Sequence, residues 1–141
     1  MKLCPVCHLR YDESAERCLV DDARLETLSD PRIGTVFGGR YALESVLGRG
    51  GMATVYRARH TLTDQAFAVK VLHDRFAEDE ALRQRLAREA QAARALAHPN
   101  VVEIHDVGET ESGAPYLVME LLEGEPLDRV LAARGKLPYA E

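Results

Sequence analysis

The chain has 141 residues, 46% of them apolar and 29% charged, and a net charge of −5. That suffices for one modest core with a small appendage. The basic residues are interspersed among a larger number of acidic ones, which argues against a nucleic-acid or anionic-membrane surface. No stretch approaches the roughly 18 apolar residues of a membrane span or the apolar run of a secretory signal, so the sequence reads as cytoplasmic.

The three cysteines Cys4, Cys7 and Cys18 open the chain. An odd number in one short stretch points to metal rather than to a disulfide framework. "CPVC" followed by "CLVD" has the form C-x2-C-x10-C-x2-D. Four tetrahedral ligands would be Cys4, Cys7, Cys18 and Asp21, since zinc accepts a carboxylate oxygen as well as thiolates. His8 is a rival, although its adjacency to Cys7 makes joint ligation awkward. A segment this short has almost no core of its own, which makes the cysteine spacing hard to motivate without metal. Residues 1–26 resemble a small zinc ribbon, a module that usually carries four cysteines, and the resemblance implies a structural Zn2+ site.

Residues 27–40, "TLSDPRIGTVFGGR", carry Ser29, Pro31, Gly34, Gly38 and Gly39 and read as a linker. No internal repeat is visible in the sequence. From Tyr41 the pattern becomes periodic. "YALESVL" and "ATVYRAR" predict two strands flanking a glycine loop, and "QAFAVKVL" predicts a third. Over 79–97 the period turns helical, with Leu82, Leu86, Ala93 and Leu96 forming one stripe, and Pro99 closes the segment. "VVEIHDVG" and "PYLVMEL" predict two more strands joined at Gly113, and "EPLDRVLAARG" a short helix that Gly135 ends.

Gly48, Gly50 and Gly51 lack a Cβ, so the loop either serves a tight hairpin or lets amide groups approach phosphate oxygens. Alternation places Ala68, Lys70 and Leu72 on one face of the third strand and Phe67, Val69 and Val71 on the other. Lys70 thus lies on an otherwise apolar face, from which its stem could also snorkel to solvent. Glu89 falls on the apolar stripe of the helix, where a buried carboxylate needs a partner. Arg85, four residues earlier, offers only a surface pair of about 0.3 kcal/mol. Lys70 is the better partner.

These residues in this order resemble the N-terminal lobe of a protein kinase of the bacterial serine/threonine type, some of which are preceded by zinc ribbons. "LGRGGMATVYRA" looks like the family's G-x-G-x-x-G-x-V loop, with Ala53 at the third glycine. "AVKVL" resembles the V-A-I-K strand, and "REAQAARALAHPNVV" the helix whose glutamate pairs with the lysine. The implied fold is α+β: a five-stranded antiparallel sheet with one main helix and the start of the C-terminal lobe, spanning 41–141. The resemblance implies ATP held under the loop by Gly48, Arg49, Gly50, Gly51, Met52 and Ala53. It gives Lys70 to the phosphates, with Glu89 holding Lys70. Leu47, Val55 and Ala68 would cover the adenine, Met119 would stand at the back of the pocket, and the backbone of Glu120 and Leu122 would meet the base edge.

The family's H-R-D-x-x-x-x-N and D-F-G motifs, which supply the proton-accepting aspartate and the Mg2+ ligands, do not occur in the sequence. His105 and Asp106 fall where the family has a plain strand and are not the catalytic loop. "KLPYAE" looks like the entry to the next large helix. Two readings follow from the residues. One is the ATP-binding lobe of a kinase acting on protein serine or threonine, inactive alone. The other is a truncated or pseudokinase binding module. The resemblance also leaves room for a homodimer.

Overall fold

A computed structural model describes residues 2–12, 14–27 and 30–138; Ser29 of the linker and the last three residues of "KLPYAE" lie outside them. The chain forms two compact units, residues 1–35 and 36–141.

In the first unit, strand β1 (Lys2–Leu3) lies between β2 (Arg10–Tyr11) and β3 (Glu26–Thr27) in an antiparallel sheet. Cys4, Cys18 and Leu25 are its buried core. The turns 4–9 and 18–23 are copies of each other, a repeat hidden from the sequence because only the cysteine and valine coincide. The amides of His8 and Asp22 donate to the carbonyls of Cys4 and Cys18, each at 3.0 Å, and those of Cys4 and Cys18 donate to Leu9 and Ala23, each at 2.9 Å. His8 and Asp22 share left-handed φ values of 60° and 52°.

The second unit is a six-stranded antiparallel sheet in the order β4-β5-β6-β7-β9-β8. Its strands are β4 (Val36–Phe37), β5 (Tyr41–Arg49), β6 (Ala53–His60), β7 (Ala66–Leu72), β8 (Ile104–Glu109) and β9 (Pro115–Glu120). The sequence predicts five. The sixth, β4, falls in the segment read as linker, where Phe37 buries itself with its ring centroid 5.1 Å from that of Tyr116.

One sheet face carries the main core, including Tyr41, Leu43, Tyr56, Phe67, Val69, Val71, Tyr116 and Val118. The Tyr41 hydroxyl satisfies itself by donating to Asp106 Oδ2 at 3.0 Å. Helix α1 (Glu80–Ala95) packs on the opposite face, where Leu86 and Ala90 meet Leu117 and Met119. Asp79 caps α1 by accepting from the Leu82 amide. The helix ends at Ala95, before Pro99 can act, and Leu96 is 59% exposed, so the buried stripe runs through Ala90 rather than Leu96. Helix α2 (Leu127–Arg134) ends at Gly135, whose φ is 77°.

Gly108 is fixed by its neighbour: a Cβ there would lie 2.4 Å from the Tyr116 hydroxyl oxygen and 2.5 Å from its ring. Gly108→Ala is therefore expected to destabilise the second unit by about 1–3 kcal/mol through overpacking. Gly51→Ala, whose Cβ would meet nothing within 4 Å, should leave the denaturation midpoint unchanged. Equal midpoints for the two variants would contradict this packing.

Candidate functional site

The cleft of the second unit is built on three adjacent strands. Gly48 pairs with Val55 across β5 and β6, and Val55 pairs with Lys70 across β6 and β7. Cross-strand partners share a sheet face, so glycine loop, valine and lysine form one row. Phe67, Val69 and Val71 enter the core on the other face, which sends Ala68, Lys70 and Leu72 towards α1. Lys70 Nζ donates to Glu89 Oε2 at 2.7 Å. Glu89 does not pair with Arg85.

The carboxylate is more open than the stripe implies. The side chains of Lys70 and Glu89 are 24% and 41% exposed, so the pair borders solvent. Burial cost is not what brings the two together, and a pair at this depth is worth about 0–1 kcal/mol.

The loop between β5 and β6 is a tight hairpin closed by the Gly50 amide on the Ala53 carbonyl at 2.8 Å. None of Gly48, Gly50 and Gly51 has a positive φ, and a Cβ on Gly48 or Gly51 would meet nothing within 4 Å. Hairpin geometry therefore does not demand glycine at those two positions. Arg49 lies opposite Thr54 at the end of the ladder, and Ala53, at the family's third glycine, is buried opposite Leu72.

Two contacts brace the loop that the sequence did not reveal. Arg75 donates to the Gly51 carbonyl at 3.1 Å, and the His73 amide donates to the Met52 carbonyl at 2.8 Å. A third holds the helix: Arg83 donates to the carbonyls of Ala77 and Gly113 at 2.9 and 2.7 Å and pairs with Glu109. Polar contacts between separate segments leave no periodic trace, so no signal in the sequence could have found them.

Of the remaining expected contacts, Ala68 and Met119 share the face of Lys70. Ala68 is buried opposite Met119, which packs against the α1 cluster. Leu47 lies in the irregularity between Val46 and Gly48 and is 50% exposed, and Leu122, beyond β9, is 64% exposed. Glu120 is tied to Glu103, its amide donating to the Glu103 carbonyl at 3.0 Å. A separate cavity of about 480 Å³ lies by the C-terminal end of α1, lined by Leu96, Pro99, Val101 and Ile104 among others, and does not include Lys70 or Glu89. The chemistry belongs to the open cleft: an ammonium held by a carboxylate, beside a glycine loop, suits a phosphate-bearing ligand. His105 and Asp106 sit on β8, where Asp106 serves Tyr41 and Arg40.

In the first unit the sulfurs of Cys4, Cys7 and Cys18 and a carboxylate oxygen of Asp21 all lie within 4.8 Å of one another, and His8 is not in this group. Cys7 Sγ is 3.5 Å from Cys18 Sγ, and Asp21 Oδ2 accepts from Cys4 at 3.5 Å and Cys18 at 3.6 Å. Backbone amides reach the sulfurs at 3.4 Å: Val6 to Cys4, and Val20 and Asp21 to Cys18. Hydrogen bonding to the Asp21 carboxylate pushes the Cys7 thiol up to about 12. Burial opposes ionisation of Cys18, yet the Tyr11 hydroxyl and the two amides outweigh it and bring that thiol down to about 7. The Cys7 thiol in turn lowers the Asp21 carboxyl. Three sulfurs and a carboxylate at mutual contact are a donor set that fits zinc.

Among the described residues no helix is long and apolar enough to cross a membrane. The protein kinase domain family matches residues 41–141. Serine/threonine-protein kinase PknH of Mycobacterium tuberculosis is 46% identical over 108 residues, covering 77% of this chain and 17% of that protein. Serine/threonine-protein kinase PrkC of Bacillus subtilis is 44% identical over 105 residues, covering 74% and 16%. The chain thus spans under a fifth of the length of these relatives. The crystal structure of the M. tuberculosis PknI kinase domain superposes with a TM-score of 0.62 at 33% identity, covering 76% of this chain and 43% of that one. Fold, cleft and kinship agree: the chain belongs to the protein kinase family, with bacterial serine/threonine kinases among its relatives, and its second unit has the fold of the kinase N-terminal lobe.

Proposed function

We propose that residues 41–141 are the ATP-binding lobe of a cytoplasmic kinase that transfers the γ-phosphate of ATP to serine or threonine hydroxyls of proteins. The observation that carries this reading is the Lys70–Glu89 pair, 2.7 Å long and set in the same row as Gly48 and Val55. In this role Lys70 binds the α- and β-phosphates and Glu89 keeps its ammonium in place. The glycine loop brings amides to the phosphate oxygens. Leu47, Val55, Ala68 and Met119 enclose the adenine, and the backbone of Glu120 and Leu122 meets its edge.

Mg2+ accompanies ATP in this family on an aspartate and an asparagine of motifs that this sequence does not contain, so no residue here is assigned to it. The group that accepts the hydroxyl proton is absent from the sequence for the same reason. The 141 residues are expected to hold nucleotide without transferring phosphate.

The first unit is proposed to hold one structural Zn2+ on Cys4, Cys7, Cys18 and Asp21. When bound, the ion supplies the cross-link that a core of three buried residues does not.

Lys70→Met should weaken ATP binding by the chain about tenfold or more, the loss of one charge-assisted contact, and should abolish phosphotransfer in a kinase domain that includes this lobe. Retained transfer would overturn the assignment. A wild-type chain with no measurable ATP affinity would favour a scaffold role instead. Gly48→Ala should lower ATP affinity while moving unfolding stability by less than about 0.5 kcal/mol; a large stability loss would make the glycine structural. Zinc chelation should open residues 1–35 to protease and leave the second unit protected. An unchanged digestion pattern would contradict the zinc site.

A further inference from the structure

We infer that the zinc site is exchangeable and opens through its Asp21 arm. This rests on the zinc reading above and adds which ligand lets go. The two copied turns assign Asp21 its place: in each turn the amide two residues on donates to the first sulfur at 3.4 Å, Val6 to Cys4 and Val20 to Cys18, and the closing hydrogen bonds are the same. Asp21 therefore stands where Cys7 stands in the other turn. The fold presents a fourth-cysteine position and the sequence fills it with a carboxylate.

The four donors are held unequally. Cys4 and Cys18 are buried, at 0% and 3% exposure, whereas Asp21 is exposed. Cys18 is further fixed by the Tyr11 hydroxyl at 3.1 Å, which itself accepts from the Leu19 amide at 3.1 Å. Among the described residues, the hydrogen bonds to the Asp21 carboxylate come from cysteine sulfurs alone. Neither an amide nor a basic side chain anchors it there. A carboxylate is also a harder donor than thiolate, and three soft ligands hold zinc without it. The carboxylate swings out first, and water or an incoming thiolate takes the vacated position while the three sulfurs keep the ion.

The test uses the whole 141-residue chain loaded with one equivalent of Zn2+ or Co2+. Zinc transfer to a chromogenic chelator should slow about tenfold or more in Asp21→Cys, the scale on which changes around a zinc site act, and should stay unchanged in His8→Ala. In the Co2+-loaded wild type, adding 2-mercaptoethanol should intensify the sulfur-to-cobalt absorption as a fourth thiolate binds. This second reading needs no variant. Equal transfer rates for wild type and Asp21→Cys, or a cobalt spectrum indifferent to added thiol, would overturn the inference. A wild-type chain that takes up no zinc would instead overturn the zinc reading on which it rests.

Discussion

The alternation of β7 is the constraint on which the second unit depends. Val69 and Val71 are fully buried and Phe67 nearly so, all on the face that holds the aromatic core. Lys70, lying between the two valines, has no choice but the opposite face. A slip of one residue would drive its ammonium into that core and expose the valines, a loss no local contact could offset. The register is locked from both sides, by β6 through Val55 and by β9 through Leu117. The lysine is thus positioned by its hydrophobic neighbours, and Glu89 reaches it because Arg83 and the Leu86–Leu117 contact hold the helix in place.

Much of this was legible in the residues because it follows from period. Alternation in β7 placed Lys70, helical spacing placed Glu89 three residues from Leu86, and glycines at 48, 50 and 51 marked the loop. Where the reading departed from the structure, tertiary contacts had decided. Val36 and Phe37 sit among glycines and look like linker, yet Phe37 finds Tyr116, far along the chain, and the segment becomes a strand. Leu96 continues the apolar stripe but lies beyond the helix end and is left exposed. Glu89 shares the stripe's spacing but sits at its rim, 41% exposed, so position rather than burial gives it Lys70 as a partner.

The first unit was less legible for a different reason. Its repeat lies in the backbone, in matched hydrogen bonds and in left-handed residues that are histidine and aspartate rather than glycine. Sequence comparison weighs side chains, and these two turns share only two. The equivalence of Cys7 and Asp21 emerges once the amide and carbonyl partners are traced. In the same matching His8 pairs with Asp22, one step past Cys7 and Asp21 in each turn.

The two kinds of glycine in the second unit divide by face. Gly38 and Gly108 are required by the fold, since a Cβ on either would come within 2.8 Å of the Tyr116 side chain, and both serve the core face. Gly48 and Gly51 border open space in an unstrained conformation, on the loop above the cleft. Neither backbone conformation nor packing inside the protein requires glycine at these two positions. The Lys70–Glu89 pair adds at most about 1 kcal/mol to stability. Features that stability does not require are therefore gathered on one side of one sheet, in one row, around an open cleft. Packing accounts for the opposite face; this one has the chemistry that the proposed nucleotide would require.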